Sequence, residues 1–252
     1  MSKIVFITGA TSGFGKATAE KFAANGYDLI LNGRRSERLE MISADLQNRF
    51  TISVLTLPFD VQDQSAVFVA VENIPDEWKH INILVNNAGL ALGRDFFDEA
   101  SLDDWNTMID TNVKGLLYVS RAVLPYMKSV GKGHIINLGS IAGKEVYEKG
   151  NVYCASKHAV DAISKAMRID LLKDRIKVTA IHPGAADTEF SIIRFKGDSA
   201  SAQKVYEGYK PLYAEDIAEV IYFCATQPDH VCINDLVITC TSQANSYHTS
   251  RK

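Results

Sequence analysis

The chain has 252 residues, 46% of them hydrophobic and 23% charged, with a formal net charge of −3, which is enough apolar material for the core of one large α/β domain. Its 27 Lys and Arg form no basic block, which excludes a nucleic-acid footprint; no apolar run approaches a membrane span, and Ile4 to Ile7 is too short for the apolar region of a signal peptide. A cytoplasmic protein is expected. Cys154, Cys224, Cys232 and Cys240, like the 6 histidines, show no ligand spacing, so buried reduced thiols and no metal site are expected.

Short runs rich in Val, Ile and Leu alternate with helix-period segments from the start of the chain to about residue 180. The runs Ile4–Thr8, Asp28–Asn32, Ser53–Phe59, Ile81–Asn86, Gly133–Leu138 and Lys177–Ile181 are unalternated and bounded by Gly, Pro or Asn, the pattern of strands buried on both faces. Helices are predicted over Lys16–Asn25, Ser36–Phe50 and Ser65–Asn73. The fold class is therefore a Rossmann-type, doubly wound parallel sheet with helices on both faces, a single domain over 1–252. A longer helix starts at Ser101, with Asp104 completing a weak capping box, and runs to about Tyr126. Another starts near Asn151 and carries Ala155, Ala159, Ile163 and Ala166 on one stripe. The segment 185–212 has no strand pattern and reads as a lid over a site. A helix over Ala214–Ala225 and a last apolar run, Leu236–Thr239, precede a polar tail, 242–252, expected to be either disordered or docked on a partner subunit.

The loop after the first strand reads Thr8-Gly9-Ala10-Thr11-Ser12-Gly13-Phe14-Gly15. Gly9 permits a tight turn, and Gly13 and Gly15 let backbone N–H groups approach a pyrophosphate that the next helix faces with its N-terminus. Gly9, Thr11, Ser12, Gly13, Phe14 and Gly15 are thus candidate cofactor residues, because the loop falls between a strand and a helix. An NAD site wants an acid at the end of the second strand, roughly 20 residues on, for the ribose 2′-hydroxyl. Gly33 stands there, followed by Arg34 and Arg35. Two guanidinium forks suit a 2′-phosphate, so the expected cofactor is NADP(H).

Tyr-x-x-x-Lys occurs twice. Tyr206 and Lys210 are followed by Pro211, and Ile193 stands thirteen residues before Tyr206; Tyr153 and Lys157 instead have Ser140 at that spacing. Ser140 falls at the carboxyl end of a predicted strand, where open parallel sheets bind ligands. Tyr153 and Lys157 share a helix face. A tyrosine acting as a base near pH 7 needs about 4 kcal/mol of help, and an ammonium about 4–5 Å away supplies about 3–4 kcal/mol. Ser140 can hold a substrate oxygen beside the phenol. Asn112 and the strand exit Asn86-Asn87-Ala88-Gly89 are polar positions that by themselves read equally as structural.

Together Thr8-Gly9-x-x-x-Gly13-x-Gly15, Asp60, Asn86-Asn87-Ala88-Gly89, Asn112, Ser140, Tyr153-x-x-x-Lys157 and Pro183-Gly184-x-x-x-Thr188 resemble the short-chain dehydrogenase/reductase family over essentially the whole chain. The resemblance implies a tetrad of Asn112, Ser140, Tyr153 and Lys157, with Asn112 and Lys157 holding a relay water and Lys157 the nicotinamide ribose. It also implies Asp60 and Val61 at the adenine, Asn87 at the adenine ribose and Thr188 at the carboxamide, with Ala88, Gly89, Pro183 and Gly184 as further cofactor-binding residues. A narrower resemblance, through Asn87 to Gly93, Met108 to Asn112, Thr188 to Ser191 and Arg194 to Asp198, is to NADP-dependent 3-hydroxy acid dehydrogenases and related sulfoacetaldehyde reductases. It implies a homotetramer packed through the two tetrad helices, and a small-molecule substrate that is a short acid. The loop Gly143-Lys144-Glu145-Val146-Tyr147 departs from that subgroup. Because the loop lines its pocket, Glu145 and Tyr147 join Ser140 and Arg194 as candidate substrate residues. Arg194 either clamps a carboxylate or faces solvent or a neighbouring subunit; the subgroup resemblance favours the clamp. A reductase of bulkier neutral carbonyls and a non-catalytic NADP-binding sensor are the rival readings.

Overall fold

The computed structural model describes residues 3–252. Seven strands form one parallel sheet: β1 (Ile4–Ile7), β2 (Asp28–Gly33), β3 (Val54–Pro58), β4 (Ile81–Asn86), β5 (Gly133–Leu138), β6 (Ile176–Pro183) and β7 (Asp235–Ile238). Their order is β3-β2-β1-β4-β5-β6-β7, so the chain reverses direction across the sheet between β1 and β4. The crevice outside that reversal, at the carboxyl ends of the strands, is where such sheets bind ligands.

All of β1 is buried, and its side chains alternate between two cores. Val5 and Ile7 pack in one with Leu29, Leu31 and Val85, and Ile4 and Phe6 in the other with Ile30, Leu84 and Ile135. Helices α1 (Gly13–Ala23), α2 (Ser36–Arg49) and α9 (Ala214–Ala225) cover the first face, and α3 (Gln64–Glu72) and α5 (Leu116–Val130) the second. Each large side chain taken fully from water contributes about 1.5–3 kcal/mol, which is why the strand runs lack alternation.

The helix expected from Ser101 is capped by the Ser101 hydroxyl, which accepts from the Asp104 amide, but it does not run through unbroken. It forms as α4 (Leu102–Ile109), a π-helical turn over Asp110–Gly115, and α5. Widened turns of this kind commonly mark functional positions, and this one contains Asn112. Helix α6 (Asn151–Asp170) carries Tyr153 and Lys157. Between β6 and α9 lie two short helices, α7 (Glu189–Arg194) and α8 (Ser199–Lys204), separated where Lys196 and Gly197 both adopt positive φ. The terminal segment packs on its own chain: Arg251 donates to the Val205 and Glu207 carbonyls, and the Lys252 amide to that of Gly208. Cys154, Cys224 and Cys240 are buried free thiols, whereas Cys232 is half-buried, which corrects the expectation of four buried ones. Among the described residues no helix is long and apolar enough to cross a membrane.

Candidate active site

A cleft of about 610 Å³ opens across the carboxyl ends of β1, β2, β4, β5 and β6. At its first end the backbone sets the shape. Gly9 and Gly13 have φ of 66° and 50°, a region costly for other residues, so the loop can turn tightly beneath α1. Gly15 does not line the cleft. Its requirement is steric: a Cβ there would run into the Gly9 carbonyl and the Asn87 amide. Asn87 in turn donates to the Thr8 and Gly9 carbonyls at 2.8 and 3.1 Å, tying the β4 exit to the glycine loop. Thr11, Ser12, Phe14, Ala88 and Gly89 line the same wall.

Arg34 and Arg35 reach the cleft beside the end of β2. Arg34 pairs with Asp60 at 3.5 Å; Arg35 donates to the Thr11 hydroxyl at 2.8 Å. One contact was absent from the sequence reading: Glu189, the first residue of α7, accepts ion pairs from Arg35 at 3.5 Å and Arg38 at 3.2 Å. The i,i+3 spacing of Arg35, at the N-cap of α2, and Arg38 was readable, but not the acid 151 residues beyond Arg38. Val61, Pro183, Gly184 and Thr188 also line the cleft, and Thr188 caps α7 by accepting from the Phe190 amide at 3.2 Å. A narrow glycine-floored channel leading from two guanidinium groups to a buried phenol fits an extended, phosphorylated dinucleotide.

At the second end, Ser140 at the β5 exit, Tyr153 and Lys157 come together on the cleft wall. Burial pushes the Tyr153 phenol above its ordinary pKa, Tyr147 adds to this, and Ser140 and Arg194 oppose it. The pull expected from Lys157 therefore does not dominate; desolvation does. Lys157 donates to the Leu138 carbonyl at 2.8 Å, and burial depresses its pKa to about 8. Asn112 stands behind the cleft rather than on it. Its side chain exchanges 2.8 Å hydrogen bonds with both main-chain groups of Leu90 and donates to Ser156 at 3.0 Å, which joins the π turn to the β4 exit and α6.

The substrate candidates divide. Tyr147 lines the cleft, and its hydroxyl accepts from Arg194 at 3.1 Å. The Arg194 guanidinium lies 5.5 Å from the Tyr153 ring centroid, so it faces that phenol rather than open solvent. Glu145 does not line the cleft itself; its carboxylate accepts from the amide of Ser246 at 2.8 Å, which ties the loop to a C-terminal segment whose Ser246 does line it. Phe190, 5.7 Å from the Tyr153 ring, was not among the candidates; its place within the segment Thr188 to Ser191 is the sequence hint. The rival pair separates, since Tyr206 donates to the Ala186 carbonyl at 2.6 Å while Lys210 sits over the Tyr213 ring.

This fold and site define a dinucleotide-dependent oxidoreductase architecture, and the chain belongs to the short chain dehydrogenase family, whose model matches residues 3–197. It is 46% identical over 245 residues to sulfoacetaldehyde reductase 2 of Chromohalobacter salexigens, covering 97% of this chain and 96% of that protein. Identity is also 46%, over 242 residues and 96% of each chain, to an NADP-dependent 3-hydroxy acid dehydrogenase of Salmonella typhi. The closed form of serine dehydrogenase complexed with NADP+ superposes with a TM-score of 0.92 at 43% identity, covering 99% of both chains.

Proposed function

We propose that the protein is an NADP(H)-dependent oxidoreductase that interconverts a hydroxyl and a carbonyl on a short acidic substrate. When bound, the nicotinamide supplies or accepts the hydride. Tyr153 gives or takes the proton at the substrate oxygen, Ser140 holds that oxygen, and Lys157 binds the ribose and lends positive charge. Asn112 fixes the geometry between them. Burial keeps the Tyr153 phenol protonated in the cofactor-free protein, which suits it to donate to a carbonyl oxygen as that oxygen gains charge. Arg34 and Arg35 hold the 2′-phosphate, with the glycine loop at the pyrophosphate. Residues 185–212 serve as a lid on a single catalytic domain.

One observation carries the substrate class: a guanidinium, Arg194, stands beside both Tyr147 and the ring of Tyr153. A substrate whose oxygen meets Tyr153 would place an anion two carbons away near that fork. Malonic semialdehyde or 3-hydroxypropionate, serine, allo-threonine, and sulfoacetaldehyde or isethionate share this layout, and the names of the related proteins support it. Arg194→Ala is expected to raise KM for the acid at least ten-fold and leave a neutral short aldehyde unaffected; equal losses on both would remove Arg194 from substrate binding. A bulky neutral carbonyl is less well served, because Tyr147, Phe190 and Arg194 converge over the phenol. A non-catalytic sensor is disfavoured by Lys157, whose buried ammonium costs more than its one bond to the Leu138 carbonyl returns. The reading includes a cytoplasmic homotetramer packed through α4–α5 and α6, supported by the exposed Leu102 and Leu117; light scattering that returned a monomer would remove that part.

A further inference from the structure

Behind Ser140, on the side away from the cleft, lies a charged cluster with no part in the reaction just described. Lys144 follows the tight turn Ile141–Gly143 that Ser140 caps. Its ammonium donates to Asp161 Oδ1 of α6 at 2.8 Å and also to Asp235 Oδ2 of β7. Asp161 stands one helical turn beyond Lys157 and also accepts from Lys165 at 2.7 Å. Beneath the turn, the fully buried His182 of β6 places Nδ1 3.1 Å from the Ser140 carbonyl. Its Nε2 lies 3.3 Å from Asp235 and 3.6 Å from Asp161.

Asp161, His182 and Asp235 bring three ligand atoms within 4.8 Å of one another, a spacing that a metal ion could use. The ammonium of Lys144 already lies between the two carboxylates, and Lys165 pairs with Asp161 as well. Two carboxylates facing two ammonium groups leave no charge for a divalent cation to neutralise, so the cation of this cluster is a side chain.

Packing shows what the cluster holds. A Cβ on Gly139, the residue before Ser140, would run into the His182 ring, and one on Gly143 would come within 2.6 Å of the Lys157 carbonyl. The Ser140 turn is therefore pressed between β6 below and the tetrad helix beside it, with Ile141 and Ala142 buried within it and Lys144 as the charged group that follows. We propose that Lys144, latched to Asp161 and Asp235 over His182, is a positioning residue that sets Ser140 against Tyr153. The inference rests on Ser140 being the group that holds the substrate oxygen. Lys144 does not line the cleft, so its effect passes through the turn, and a displacement of about 1 Å at such a group can cost about 100-fold in rate.

The test compares Lys144→Met, Lys144→Arg, Asp235→Asn, Ser140→Ala and the double variant Ser140→Ala/Lys144→Met, each assayed well below its own melting temperature. NADPH oxidation with sulfoacetaldehyde or malonic semialdehyde gives kcat and KM, and NADPH fluorescence gives the cofactor Kd. Lys144→Met is expected to lose about ten- to 100-fold in kcat with the NADPH Kd unchanged, and Lys144→Arg, which can still bridge both carboxylates, to recover most of it. The double variant should be no slower than Ser140→Ala alone, which a merely structural lysine would not produce. Asp235→Asn, on the sheet edge, should move kcat the same way, and it keeps the test available if Lys144→Met does not fold. Wild-type kcat in the latch variants, with Ser140→Ala impaired, overturns the latch alone; so does a double variant slowed by the full factor of each change. Wild-type kcat in Ser140→Ala overturns the reading of the site and the latch with it.

Discussion

The two ends of the cleft are built from different materials. At the dinucleotide end the shape comes from backbone: positive-φ glycines, a Gly15 that admits no Cβ, and Asn87 pinning one loop to another. At the substrate end it comes from side chains delivered by separate elements, with Tyr153 from α6, Arg194 and Phe190 from α7, and Tyr147 from the loop between β5 and α6. A backbone cradle resists substitution and recognises what many proteins bind. A side-chain pocket changes with a few residues, and it is where related chains of one fold diverge.

The largest expected break in that contrast is Tyr153→Phe. Turnover should fall by at least 100-fold, since general acid–base groups contribute about 10²–10⁴, while NADPH binds as before because the cradle is elsewhere. Single-turnover rates together with fluorescence titration measure both halves. A variant that keeps most of its rate would move the proton transfer to another group.

Lys157→Met should divide function from stability. Burial lowers the lysine pKa from 10.5 to about 8, so below pH 8 the folded protein carries a charge that costs about 3 kcal/mol. Between pH 8 and 10.5 the folded lysine is neutral while the unfolded one is still protonated, so the cost shrinks as pH rises and is gone above 10.5. The inactive variant should therefore be more stable than the wild type at pH 7, by somewhat less than this because the bond to Leu138 is lost, and the gap should narrow by pH 9.5. Urea melts of the cofactor-free protein at the two pH values read the sign; a variant less stable at pH 7 would contradict it.

At the dinucleotide end, Arg34→Ala/Arg35→Ala should lower kcat/KM for NADP(H) by about ten- to 100-fold and leave NAD(H) nearly unchanged, because solvent screening of these exposed side chains cuts their charge-assisted bonds to about 1.5–3 kcal/mol in total. A wild-type preference for NAD(H) would exclude the 2′-phosphate role altogether. The smallest effect is expected at Glu189→Gln, which sharpens the comparison by joining its halves. Glu189 on α7 takes the arginine fork that a 2′-phosphate would need, yet exposed pairs contribute only about 0–1 kcal/mol. Removing the carboxylate should tighten NADP(H) binding a few-fold in a calorimetric titration, with no change for NAD(H); weaker binding would show that the pair holds the arginines in place rather than competing for them.

How legible each part was in the sequence follows the same division. Unalternated Val-, Ile- and Leu-rich runs determined a parallel sheet covered on both faces, and the glycine loop, the Arg34-Arg35 pair and Ser140 with Tyr153-x-x-x-Lys157 determined a dinucleotide site and its chemistry. Those signals are local, because a glycine that must turn or a helix pair four residues apart carries its constraint within a few positions. Tertiary structure alone decided that the Ser101 helix breaks into a π turn at Asn112, that Glu145 turns to the C-terminal segment, and that Lys144 finds Asp235 91 residues away. It also decided that burial raises the Tyr153 phenol against the opposing pull of Ser140 and Arg194. Each of these depends on which distant surfaces share a low-dielectric space, a property of packing that no spacing along the chain encodes.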